Sequence, residues 1–144
     1  MTKYEILMAT DGSVWGKKAE IAAMKIARSY NIRIAAIYVA VARKDSTREE
    51  LVAKGEEVLK RVVEIGEEMG VEVHKILVGV SIQRMPKKGQ CAESIARAIL
   101  DAADQYKVHT IVMGSKGESE FDREMGSVAL EVVRKARCTV LVAR

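Results

Sequence analysis

A chain of 144 residues, 49% hydrophobic and 31% charged, has the size and mix of one soluble globular domain, expected here over residues 1–144, and not of a disordered chain. The net charge of +4 is spread over interspersed basic and acidic residues, and aromatics make up 4%. That pattern offers neither a polyanion-binding block nor a stacking platform, so no nucleic-acid partner is expected.

The longest apolar runs, such as Ile34–Ala42, are strand-sized against the roughly 20 residues a bilayer span needs, and the first residues lack a signal-peptide layout. A cytoplasmic protein with no membrane contact is expected. The run Tyr4–Ala9 reads as a short strand, and Thr10-Asp11-Gly12-Ser13 after it are residues that make turns and cap helices. From Trp15, apolar residues recur at Ala19, Ala22, Ala23, Ile26 and Tyr30, which predicts a first helix with Trp15 on its core-facing side. Arg33–Val41 is nearly all apolar, as in a strand buried on both faces. Between Ser46 and Met69, Leu51, Gly55, Val58, Val62, Ile65 and Met69 mark a second helix, and Gly70 stands where a left-handed C-terminal cap is wanted.

Strand Val71–Val80, a polar basic loop Ser81–Gln90, a helix over Ala92–Gln105 and strand Val108–Met113 follow. A last helix over Gly126–Lys135 and the strand Thr139–Ala143 complete the order βαβαβαβαβ. Such alternation predicts an α/β fold, a parallel sheet with helices on both faces. Ligands of these sheets sit at the carboxyl ends of the strands, where strand order reverses. The segments Thr10–Ser13 and Gly114–Ser127 are therefore the candidate site.

In the second of these, Gly114-Ser115-Lys116-Gly117 and Gly126-Ser127 join a strand to a helix. Glycines let backbone amides approach a polyphosphate, and the following helix N-terminus favours negative charge. Ser127 adds a hydroxyl, and Lys116 and Arg123 add charge. The segment has neither the Gly-Lys-Ser/Thr ending of a P-loop nor the closely spaced glycines of a dinucleotide fingerprint. It points to phosphate without naming which. Asp11 and Ser127 are equally placed to be plain helix caps. Cys91 at the start of the third helix is either a reactive thiol or a half-buried packing residue. Cys91, Cys138, His74 and His109 lack ligand spacing, so neither a disulfide nor a metal site is expected.

The chain resembles the universal stress protein family in Ala9-Thr10-Asp11-Gly12-Ser13, in Ile111-Val112-Met113-Gly114-Ser115-Lys116-Gly117, in Gly126-Ser127-Val128 and in Cys138-Thr139-Val140-Leu141-Val142. The resemblance implies an open five-stranded sheet in the order 3-2-1-4-5, Rossmann-like, with the first and fourth strands side by side. It also implies an ATP site: Gly114, Gly117, Gly126, Ser127 and Val128 on the phosphates, with Lys116 nearby. Asp11 would bond on the ribose side, Thr10 would help through hydroxyl or backbone, and Ala9, Val39 and Met113 would line the adenine pocket. One departure stands out, since eight residues separate Gly117 from Gly126 where the family pattern has nine. Glu118, Glu120, Asp122 and Glu124 in that stretch would repel a triphosphate unless a divalent cation such as Mg²⁺ intervened.

Three functions fit this reading. The first is an ATP-binding regulatory protein of the stress response. The second is a dimeric interaction module of the same family that has lost ATP. The third is a slow ATPase with Lys116 or Arg123 on the transferred group. The resemblance further implies a homodimer through the edge strand Thr139–Ala143, and regulatory protein partners.

Overall fold

A computed structural model describes residues 4–81, 90–117 and 125–144. Its elements, in chain order, are β1 (Ile6–Ala9), α1 (Val14–Tyr30), β2 (Ile34–Ala42), α2 (Arg48–Met69), β3 (Val73–Ser81), α3 (Gln90–Gln105), β4 (Thr110–Gly114), α4 (Ser127–Lys135) and β5 (Thr139–Ala143). The strands form one parallel sheet in the order β3-β2-β1-β4-β5, as the alternation and the resemblance imply. Most of the basic loop Ser81–Gln90 and of the acidic stretch, with Arg123, lies outside the described residues.

Strand β1 is the keel. Ile6 and Met8 pack with α1 and α2 on one face, and Leu7 and Ala9 pack with α3 and α4 on the other. Both faces of the sheet are therefore covered, and β1 has no polar side to show.

Four predicted strand starts lie earlier than the observed ones, and those at Val71 and Val108 share one cause. Ile32, Val71 and Val108 each donate a backbone bond to the carbonyl five residues back, in Ala27, Gly66 and Ala103. They close helices α1, α2 and α3 before any strand begins. The residues just ahead of them, Asn31, Gly70 and Lys107, hold the left-handed conformation at φ 54°, 73° and 52°, the geometry of a helix end followed by an apolar contact. Gly70 is where the sequence placed it. Tyr30, assigned to the core stripe of α1, is 75% exposed, and Ala27 at 1% takes the core-facing position of the last turn.

Candidate functional site

Strand β1 stops short of its neighbours, and that opens a notch. Ala9 pairs with Ile37 of β2 and Met113 of β4, while β2 runs on to Ala42. Thr10 follows with its amide on the Ile37 carbonyl at 3.1 Å. The notch is the mouth of a cleft of about 920 Å³, at the reversal point of the sheet. Ala9, Thr10 and Asp11 reach it from β1, Val39 from β2, Met113, Gly114, Lys116 and Gly117 from the end of β4, and Ser127 and Val128 from α4. Gly126 does not line it. It sits behind, as the N-cap of α4.

The loop from β1 to α1 is built from short side chains that bond to its own backbone. Asp11 Oδ1 accepts from the Ser13 amide at 2.9 Å and from the Ser13 hydroxyl at 2.5 Å. Ser13, not Asp11, is the N-cap of α1, its Oγ accepting from the Gly16 amide at 3.2 Å. The capping role weighed for Asp11 is thus one step removed: it holds the residue that caps. Thr10, offered as a ligand hydroxyl, instead donates to buried Glu20 at 2.6 Å. Gly12 turns the chain at φ +81°, a conformation costly for a residue with a side chain.

Glycines also set how closely α1 can approach. A Cβ on Gly16 would lie 2.7 Å from Thr10 Oγ1 and 2.8 Å from Asp11 Oδ1, and one on Gly114 would lie 2.6 Å from the Trp15 carbonyl oxygen. The first turn of α1 therefore rests directly on both ligand-side loops. Trp15 is only half-buried, contrary to the core position predicted for it. Its ring has Lys18 Nζ at 4.8 Å and Lys116 Nζ at 4.9 Å from its centroid, so it holds two cations by cation–π attraction at the rim.

On the other side, Ser115 is 2% exposed and bridges two elements. Its amide donates to the Ala143 carbonyl at 2.9 Å, and its carbonyl accepts from the Gly126 amide at 2.6 Å. The glycine-bearing segment is closed at its base by that bond, which brings Gly117 and α4 to one cleft. Ser127, weighed as an N-cap, is instead the first residue of α4, and Gly126 gives the helix no side-chain cap. Among the described residues, the N-cap position thus offers the first-turn amides of α4 no side-chain acceptor, an arrangement that suits an anion.

Sequence reasoning missed Gly16, Glu20, and the cleft residues Arg43, Leu51 and Lys54. Gly16 sits inside a helical pattern, where nothing local marks a close approach. Arg43 and Lys54 reach the cleft only because β2 overruns β1 and α2 folds back over it. Cys91 is half-buried and lines the cleft. Among the described residues no three His, Cys, Asp or Glu gather as metal ligands, and none of the described helices is long and apolar enough to cross a membrane.

The other thiol carries a pH signature. Cys138, just before β5, is pushed above its ordinary value chiefly by burial, with the Asp104 carboxylate adding and backbone hydrogen bonds at Cys138 and Ile111 opposing. A thiol raised in the folded state contributes stability that is complete below its unfolded value and is lost as pH rises through the folded one. Stability is expected to fall on the alkaline side of about pH 8.5, and to fall less in Cys138→Ala. Denaturation midpoints measured across that range check this, and parallel falls in both proteins would contradict it.

Alternating strands and helices, with a cleft where strand order reverses, define a doubly wound α/β protein with a nucleotide-binding type of fold. The sequence profile of the Universal stress protein family matches residues 4–144, and the chain belongs to that family. A universal stress protein of Methanocaldococcus jannaschii is 32% identical over 152 residues, spanning 97% of this chain and 81% of that protein. Among solved structures, universal stress protein UspA from Lactobacillus plantarum has a TM-score of 0.76 at 22% identity, over 100% of this chain and 99% of that chain. The universal stress protein from Archaeoglobus fulgidus in complex with dAMP has a TM-score of 0.73 at 22% identity, over 100% of both chains.

Proposed function

We propose that this chain binds an adenine nucleotide, with ATP as the ligand, and acts as a regulatory protein of the stress response that passes occupancy to its partners. The observation that carries this reading is the pairing of glycine-lined backbone with the uncapped start of α4 at one end of the cleft. The dAMP held by the Archaeoglobus relative supports the ligand class. Phosphates lie against Gly114, Gly117, Ser127 and Val128, with Lys116 free to leave the Trp15 ring for them and Gly126 behind them as the N-cap of α4. The base lies against Ala9, Val39 and Met113. Asp11 Oδ2, which makes no hydrogen bond among the described residues, takes a ribose hydroxyl. Calorimetric titration with AMP and with ATP–Mg²⁺ tests the reading: saturable heat with either supports it, and none with both removes it.

The same reading includes a homodimer through β5. This strand is one of the two edges of the sheet, β3 being the other, and unpaired edge backbone invites a second strand. Leu141 on β5 and Leu130 and Val133 on the preceding helix are large exposed hydrophobics. Thr139 donates to His109 and Ala143 accepts from Ser115, so the alternate residues Val140 and Val142 direct their amides away from β4. Val140→Pro or Val142→Pro is therefore expected to remove a dimer bond while sparing the intramolecular ladder. Light scattering should show monomer; an unchanged mass would exclude this edge.

A further inference from the structure

Glu20 is 1% exposed on the sheet-facing side of α1, among Ala19, Ala23 and Met24. A burial of this kind is unfavourable unless the carboxylate is paired and hydrogen-bonded. Both its oxygens are met. Oε2 accepts from the Thr10 hydroxyl at 2.6 Å and from Arg61 Nη2 at 2.6 Å, and Oε1 accepts from the same nitrogen at 2.8 Å. Arg61 reaches in from α2, its side chain still 35% exposed.

Thr10, having donated to Glu20, accepts from the Gly12 amide at 3.1 Å. A continuous line of bonds thus runs from the outer side of α2, through the core, to the turn of the β1–α1 loop. Helix α2 meets that turn a second time, one turn back from Arg61, since a Cβ on Gly12 would lie 2.9 Å from Val58 Cγ2. An alkyl side chain at position 20 would fill the same apolar surroundings, so packing alone does not call for a carboxylate there.

We infer that Glu20 and Arg61 are positioning residues of the cleft: they lock the Thr10 rotamer so that its hydroxyl holds the Gly12 amide and the loop presents Asp11 to the ligand. The ligand part of this inference rests on the nucleotide reading; the loop part does not. Without Glu20 the Thr10 hydroxyl has other staggered positions to occupy, and the turn loses its fixed acceptor.

The experiment uses Glu20→Gln and Arg61→Met in the full chain, with native-state amide exchange at Gly12 and Ser13 and the Kd for AMP as readouts. Exchange at the two amides is expected to quicken by about tenfold relative to amides of β2, and Kd to rise by about tenfold, the size of one lost charge-assisted bond. Arg61→Lys should recover part of both. Should Glu20→Gln fail to fold, Thr10→Val leaves the Glu20–Arg61 pair whole and is expected to show the same exchange. A lower denaturation midpoint with parental exchange and Kd would make the network merely structural and overturn the inference. If the parent chain binds no AMP or ATP, the nucleotide reading falls, and exchange at Gly12 and Ser13 alone decides whether Glu20 and Arg61 hold the loop.

Discussion

Gly114→Ala is expected to destabilise the fold by about 3 kcal/mol, the upper part of the range for overpacking a tight contact. The new Cβ would sit 2.6 Å from the Trp15 carbonyl oxygen and 2.7 Å from its carbon. Both are backbone atoms in the first turn of α1, so no rotamer change relieves the clash and helix and strand must part. Separation would also widen the cleft between Thr10–Asp11 and Lys116–Gly117, which predicts loss of nucleotide affinity along with stability. Urea denaturation checks the first effect directly, and a variant as stable as the parent would mean that α1 does not rest on β4 this closely.

Gly16→Ala should separate affinity from stability. Alanine in a helix is favoured over glycine by up to about 1 kcal/mol, which offsets much of the local crowding. The crowded atoms, however, are Thr10 Oγ1 at 2.7 Å, Asp11 Oδ1 at 2.8 Å and the Asp11 amide nitrogen at 3.1 Å, all in the ligand-side loop. Thr10 is held by buried Glu20, so the Asp11 side of that loop is the part that yields. The expected result is a melting temperature within a few degrees of the parent and a nucleotide Kd raised by at least about tenfold, or 1.4 kcal/mol. Asp11→Ala is the less clean test of the same loop. It removes the acceptor for both Ser13 groups, so it weakens the start of α1 by about 1 kcal/mol as well as the ribose contact.

Much of this architecture was legible from the chain alone, for reasons visible at particular residues. Apolar runs such as Ile34–Val41 mark central parallel strands because both faces are buried. Gly70 marks a helix end because its backbone is left-handed there. Ten of the eleven residues proposed for the site line one cleft, because the turn chemistry of Thr10–Ser13 and the glycines after β4 are local signals.

What escaped were the features set by distance in space. Trp15 keeps helical spacing with the core residues of α1, yet it sits in the first turn, beyond the end of β1, where two lysines cover it in place of the sheet. Glu20 also fits a polar position in a helical pattern; only the fold shows that its neighbours are Thr10 and Arg61. Residue pairs separated by 41 positions, as Glu20 and Arg61 are, leave no periodic trace in the sequence.

The most direct test of the account is a backbone amide spectrum recorded during titration with ATP–Mg²⁺. The account predicts saturable shifts at Gly12–Gly16, at Gly114–Gly117 and at Gly126–Ala129, with the amides of β3 unmoved. Saturable shifts confined to other surfaces, or no shifts at millimolar nucleotide, would contradict it.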